Sequence, residues 1–181
     1  METHLLVAHG GTMDTLNLLL AALKEKNGMR RKQARETLVL AGDPAVKPLL
    51  ELTTSPDKQT RWEAAKALAA MVEPACLDTF VGLLSDSQSD IRWLAADGLI
   101  ALGPRSAVPV LKSLLGRDLS RGHLAMSHRV LARLAEDNSV LAAVVAPVLD
   151  TLRGIDLATL PTKAEKALLE LDQRTGRLAK P

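Results

Sequence analysis

The side chains able to do chemistry are few and widely spaced. The histidines are His4, His9, His123 and His128. His123 and His128 stand five apart, on different faces of a helix, rather than at the i, i+4 spacing of a chelating pair. Cys76 is the single cysteine, which excludes an internal disulfide and fits a reducing compartment, so a cytoplasmic location is expected. Gly10-Gly11 reads as a turn and not as a phosphate-cradling loop, and no Ser/His/Asp nucleophilic arrangement stands out. The expectation is a chain with no catalytic residues, no metal site and no cofactor.

Two residue types recur at fixed spacing instead. Arg31, Arg61 and Arg92 each open a similar segment: Arg31-Lys-Gln-Ala-Arg-Glu-Thr-Leu38, Arg61-Trp-Glu-Ala-Ala-Lys-Ala-Leu68 and Arg92-Trp-Leu-Ala-Ala-Asp-Gly-Leu99, spaced 30 and 31 residues apart. A guanidinium there can pair with loop acids such as Asp57, Asp86 and Asp90, or with loop carbonyls, so the three arginines are expected to form a structural ladder. Trp62 and Trp93 share the next position. Because Ala64, Ala65 and Leu68, like Ala95, Ala96 and Leu99, take the core positions, the tryptophans point away from the hairpin partner. They either fill the groove between neighbouring helices or, with Leu94 and Ile100, form a partner-docking patch.

The elements that position these residues follow from the same period. A second block starts with Pro44, Pro74 or Pro104 and carries apolar residues at three- and four-residue spacing, with proline at the helix start and Asp43 suited to a cap. Each unit is therefore an αα-hairpin of an A helix and a B helix. Such hairpins bury their apolar faces only by stacking on neighbours. The fold class expected is all-α: a short right-handed α-solenoid within one domain, residues 1–181. An N-terminal half repeat covers 13–28, closed by Gly28. Clear repeats follow over 30–55, 58–85 and 89–116, then a degenerate repeat over 117–153 whose A helix is hard to phase between 117 and 138. Thr162-Lys-Ala-Glu165 reads as a capping box that opens a last helix over 162–174, which covers the final repeat, while Leu5, Leu6 and Val7 fold over the first. Composition agrees: 35 leucines and 26 alanines against one Phe, two Trp and no Tyr favour close-packed helices over sheets. No apolar run reaches the ~18 residues of a membrane span.

The small polar loop, the Val/Ile/Thr-Arg step, the Ala-Ala-x-x-Leu run and the Pro-Ala-x-x-Pro-x-Leu block resemble HEAT repeats, more narrowly the short bacterial type of phycobilisome lyases. The matching stretches are Thr60-Arg61 to Leu68, Ile91-Arg92 to Leu99 and Pro104 to Leu115. The resemblance implies that the B helices line a concave face, on which Glu51, Asp78, Lys112 and Asp150 would be exposed. Their mixed sign argues against a phosphate-tracking groove. Basic residues gather at Lys24, Lys26, Arg30, Arg31, Lys32 and Arg35, and at Arg117, Arg121, Arg129 and Arg133. Solvated helix faces account for most such runs. Trp93 and Asp97 share a helix face, as in alkylated-base glycosylases built from related repeats, but on an A helix and without a basic groove. No His is followed by Glu, so the pairs of HEAT-repeat di-iron hydroxylases are missing. The reading is a non-enzymatic scaffold for a protein partner. The alternatives are a subunit of a bilin-type lyase or other cofactor-maturation factor, and nucleic-acid binding through the basic clusters.

Overall fold

A computed structural model describes the backbone of residues 3–154 and 157–178, with side chains over 13–154 and 157–174. Among the described residues the chain is entirely helical. The helices are α1 (Thr3–Ala22), α2 (Gly28–Ala41), α3 (Asp43–Leu52), α4 (Lys58–Met71), α5 (Leu77–Leu83), α6 (Ser89–Ala101), α7 (Ala107–Ser113), α8 (Arg121–Glu136), α9 (Ser139–Arg153) and α10 (Leu160–Leu178). Short 3-10 turns, Pro74–Cys76 and Gly103–Ser106, lead into α5 and α7. The chain forms two compact units, Met1–Cys76 and Leu77–Pro181.

In the first unit α2 and α4, both A helices, pack side by side, as do the B helices α1 and α3, and α3 packs against α4. The second unit repeats this two-layer arrangement: A helices α6 and α8 adjoin, B helices α5 and α7 adjoin, and α8 pairs with α9. Stacked αα-hairpins of this kind are the architecture of an α-solenoid. The expected core positions Ala64, Ala65, Leu68, Ala95, Ala96 and Leu99 are all fully buried. Alanine pairs let the A helices approach closely, and glycine does the same at Gly98, where an added Cβ would meet Phe80 Cε2 at 2.6 Å.

Helix boundaries show where side chains win over spacing. Gly28 opens α2 rather than closing α1; Asn27 caps it, its side chain accepting from the Met29 and Arg30 amides. Asp43 lies inside the first turn of α3, and the cap is Gly42, which has no side chain to offer. The fourth A helix, unphased from spacing, is set by an N-cap on each helix of its hairpin: Ser120 Oγ accepts from the His123 amide at 3.1 Å and Asn138 Oδ1 from the Leu141 amide at 2.9 Å. Thr162 forms no capping box, because α10 already begins at Leu160 with Pro161 in its first turn. Nor does α10 lie over the last hairpin alone: it packs against α9 and α7. Leu5, Leu6 and Val7 belong to the backbone of α1 itself, and their side chains lie outside the described ones.

The first three A helices are each followed by a residue of positive φ at one repeat position. Gly42 (φ 68°) and Gly103 (φ 76°) hold it in two repeats, and Val72 (φ 55°) in the one between. A β-branched residue is strained there, whereas glycine is not. Val72→Gly should therefore stabilise the protein by about 0.5–1 kcal/mol, measured by urea unfolding, despite the greater freedom glycine gives the unfolded chain.

Candidate functional site

The arginine at the start of the first three A helices makes one repeated contact. Arg31 Nη1 donates to the carbonyls of Glu25 and Lys26 at 2.8 and 2.9 Å. Arg61 Nη1 does so to Ser55 and Pro56 at 2.9 and 3.2 Å, and Arg92 Nη1 to Asp86 and Ser87 at 2.7 and 3.2 Å. Each guanidinium thus satisfies the two carbonyls five and six residues before it, which the ending B helix leaves without helical donors. The neighbouring acids also hold backbone amides. Asp57 caps α4 through the Thr60 hydroxyl and amide, which hold its carboxyl below the usual carboxylate range. Asp86 accepts from the Gln88 amide, and Asp90 from the Ile91 amide.

The two tryptophans differ. Trp62 is half-buried, with Lys66 Nζ 4.4 Å and the Arg35 guanidinium 5.5 Å from its ring centroid. Beside it lies Glu63, only 2% exposed and not singled out by spacing. Glu63 accepts from Arg31 Nε at 2.9 Å, from Gln59 Nε2 at 3.1 Å and from Arg35 Nη1, so one buried carboxylate ties α4 to α2. In the next repeat Leu94 stands at the equivalent position, and no such knot forms around Trp93.

Trp93 is 47% exposed, the larger ring left on an outer face. Arg129 of α8 lies over it at 4.1 Å, and Arg129 Nη2 donates to Asp97 Oδ1 at 2.7 Å. Asp97 is one turn beyond Trp93 on α6, so the three side chains form a stack in which the guanidinium is held flat on the ring. Leu94 and Ile100, on the same helix, are half-buried. Of the B-helix residues, Glu51, Asp78, Lys112 and Asp150 are all exposed, Asp150 near Arg153 at 3.7 Å.

Much of the basic character is internally compensated. Arg31 and Arg35 pair with Glu63, Arg30 with Glu25, Lys32 with Glu36, Arg129 with Asp97 and Arg133 with Glu136.

One polar cluster is not legible from spacing. His123 is buried, its Nδ1 2.9 Å from Ser85 Oγ and its Nε2 3.0 Å from Ser113 Oγ. Ser113 donates its own hydroxyl hydrogen to the Val110 carbonyl at 2.7 Å. It must then accept from Nε2–H, which leaves Nδ1 to accept from Ser85. The residues meet from the end of α5, the end of α7 and the first turn of α8, so the neutral ring locks three elements together. Burial pushes the His123 pKa down. His128 is pushed down too, by burial and by Arg153, whose Nε donates to His128 Nε2 at 3.0 Å. Cys76 is buried, and desolvation raises its thiol to about 11, leaving it protonated and inert at neutral pH. Among the described residues no group of three His, Cys, Asp or Glu side chains could hold a metal ion, and no helix is long and apolar enough to cross a membrane.

With its folded pKa below the ordinary 6.5, His123 takes up a proton more readily in the unfolded chain. Stability should hold above about pH 6.5 and fall as the pH drops below it. Urea midpoints from pH 7.5 to 5 check this, and His123→Gln should flatten the slope, with any slope left over attributable to His128.

Comparison with known proteins bears on the fold. Residues 46–132 match the family model of HEAT repeats. No curated protein matches the chain. Among solved structures, the crystal structure of an engineered protein, a structural genomics target, aligns with a TM-score of 0.43 and 20% identity, covering 86% of this chain and 80% of that one.

Proposed function

We propose that the chain is a non-enzymatic scaffold that binds a protein partner, with Trp93 as its anchor. HEAT repeats are commonly protein-interaction scaffolds, and rigid stacked hairpins suit that task because a partner meets a surface already ordered. The observation that carries the reading is the stack itself. A half-exposed indole is normally mobile, yet here Arg129 and Asp97 fix its orientation on the outer face of α6 and α8. A large aromatic held in place loses little entropy on binding, and Trp and Arg are the residues most enriched at binding hot spots. The free edge of the ring offers an apolar contact, and Arg129 offers an acidic partner group further donors.

Trp62 fits a packing role better, since two cations and the Glu63 knot surround it. Nucleic-acid binding is supported less well, because the ion pairs neutralise about half of the basic clusters and the exposed B-helix residues are of mixed sign. The bilin-lyase alternative rests on the repeat subtype alone.

The test is an affinity capture from cognate lysate at about 300 mM salt, where exposed charge pairs are screened. Wild type is compared with Trp93→Ala of unchanged melting temperature. Loss of a hot-spot tryptophan should weaken the captured complex at least about thirtyfold, corresponding to 2 kcal/mol or more, when the isolated partner is titrated. A partner retained with full affinity by a stably folded Trp93→Ala protein contradicts the assignment.

A further inference from the structure

The last helix occupies a place in the B layer that no hairpin requires of it. B helices α5 and α7 pack on each other, but α7 and α9 touch at most marginally, and α10 packs against both. A slot about one helix wide therefore separates the last two B helices, and α10 fills it. It does so with a thin stripe: Leu160, Ala164 and Ala167 are buried, and Leu168 and Leu171 half-buried, at helical spacing. By contrast α9 buries Leu141, Val144, Val145, Val148, Leu149 and Thr151. Two of the three buried anchors of α10 are alanines, which bury less apolar area each than the leucines and valines of α9.

The seating is also incomplete. A groove of about 370 Å³ runs between α7 and α10, with Val108 and Lys112 on one wall and Glu165, Leu169 and Asp172 on the other. A second, of about 540 Å³, opens where the first turn of α10 meets Leu114, Leu119 and Leu124. Val108 and Leu169 stay 37% and 58% exposed. Polar contacts nevertheless set the register: Lys163 Nζ donates to Thr151 Oγ1 at 2.7 Å, and that hydroxyl donates in turn to the Pro147 carbonyl at 2.8 Å.

We propose that the slot between α7 and α9 is a second binding surface, specific for an amphipathic helix of a partner protein, and that α10 is its occupant in cis. The occupant it fits is written in α10: leucine or alanine at relative positions 0, 4, 7, 8 and 11, a lysine at 3 to reach Thr151, and acids at 5 and 12 on the side of Lys112. A partner helix must displace α10, so α10 sets the threshold for binding. This site is independent of the Trp93 stack, which lies on α6 and α8.

The probe is a fluorescent synthetic peptide with the sequence of residues 157–174, titrated by anisotropy into the full-length protein. If α10 is docked in about nine of ten molecules or more, it weakens binding in trans about tenfold or more. Full-length Ala164→Glu/Ala167→Glu, whose own α10 cannot seat, should therefore bind the peptide at least about tenfold more tightly than wild type. A peptide carrying the same two glutamates should bind neither. A variant that keeps wild-type amide protection in α8 and α9 yet binds no peptide overturns the proposal. Should the variant lose that protection, wild-type hydrogen exchange decides. Amides of α10 exchanging far faster than those of α8 and α9 support a displaceable helix, and equal protection makes α10 a fixed part of the core and overturns it. A wild-type dimer that grows with concentration and is abolished by the two glutamates would assign the slot to a second copy, and the heterologous partner would be wrong.

Discussion

The arginine at the head of the first three A helices is the contact on which those repeats depend. A short loop between stacked hairpins ends a B helix and starts an A helix within a few residues, so it exposes carbonyls that the helices cannot satisfy. One guanidinium five and six residues downstream takes two of them in the first three repeats, from Arg31, Arg61 and Arg92. Planar, permanently charged and able to donate twice, arginine does this where lysine could not. In the second unit the clamp also reaches sideways. A Cβ on Gly122 would fall 2.5 Å from Arg92 Nε, so the guanidinium rests on the backbone of α8. That close approach of α8 to α6 brings Arg129, two turns further along, onto Trp93. The loop contact and the candidate binding surface are thus linked through one residue.

A-helix and B-helix surfaces are built on different principles. On the A side, cations from neighbouring helices lie over both tryptophans, but the outcomes diverge at a single position. Glu63 draws Arg31 and Arg35 inward and leaves Trp62 half-buried, whereas Leu94 makes no such demand and Arg129 stays on the exposed face of Trp93. On the B side of the second unit, the gap between α7 and α9 is closed by a helix from outside the repeat series. A buried neutral histidine, hydrogen-bonded to Ser85 and Ser113, secures α8 where the repeat spacing has slipped.

What the chain discloses in advance divides along the same lines. Periodic features are legible: the 30-residue spacing, the proline-started B helices, and the burial of Ala64, Ala65 and Leu68 and their counterparts all follow from one-dimensional pattern. Features that depend on one side chain meeting another far along the chain are not. Glu63 stands 32 residues from Arg31, and His123 stands 38 from Ser85, so neither cluster leaves a local signature. Ser120 and Asn138, both strong cap formers, are the local signals able to phase the fourth hairpin, and they lie within the stretch 117–138 that spacing leaves unphased. The start of α10 misled because a Ser/Thr-x-x-Glu pattern works only if the preceding residues are extended, and Leu160-Pro161 already form the first helical turn.

Arg92→Met keeps the length and much of the apolar stem of the side chain while removing both carbonyl contacts, and it tests the clamp most directly. Its unfolding in urea is followed alongside Trp93 emission in a Trp62→Phe background. Loss of two charge-assisted hydrogen bonds to loop carbonyls should lower stability by about 2–4 kcal/mol. The loosened contact with α8 should also shift the Trp93 emission of the folded protein as Arg129 leaves the ring. Stability within about 0.5 kcal/mol of wild type, with unchanged emission, would show that the loop and the stack hold without the arginine and would contradict the account.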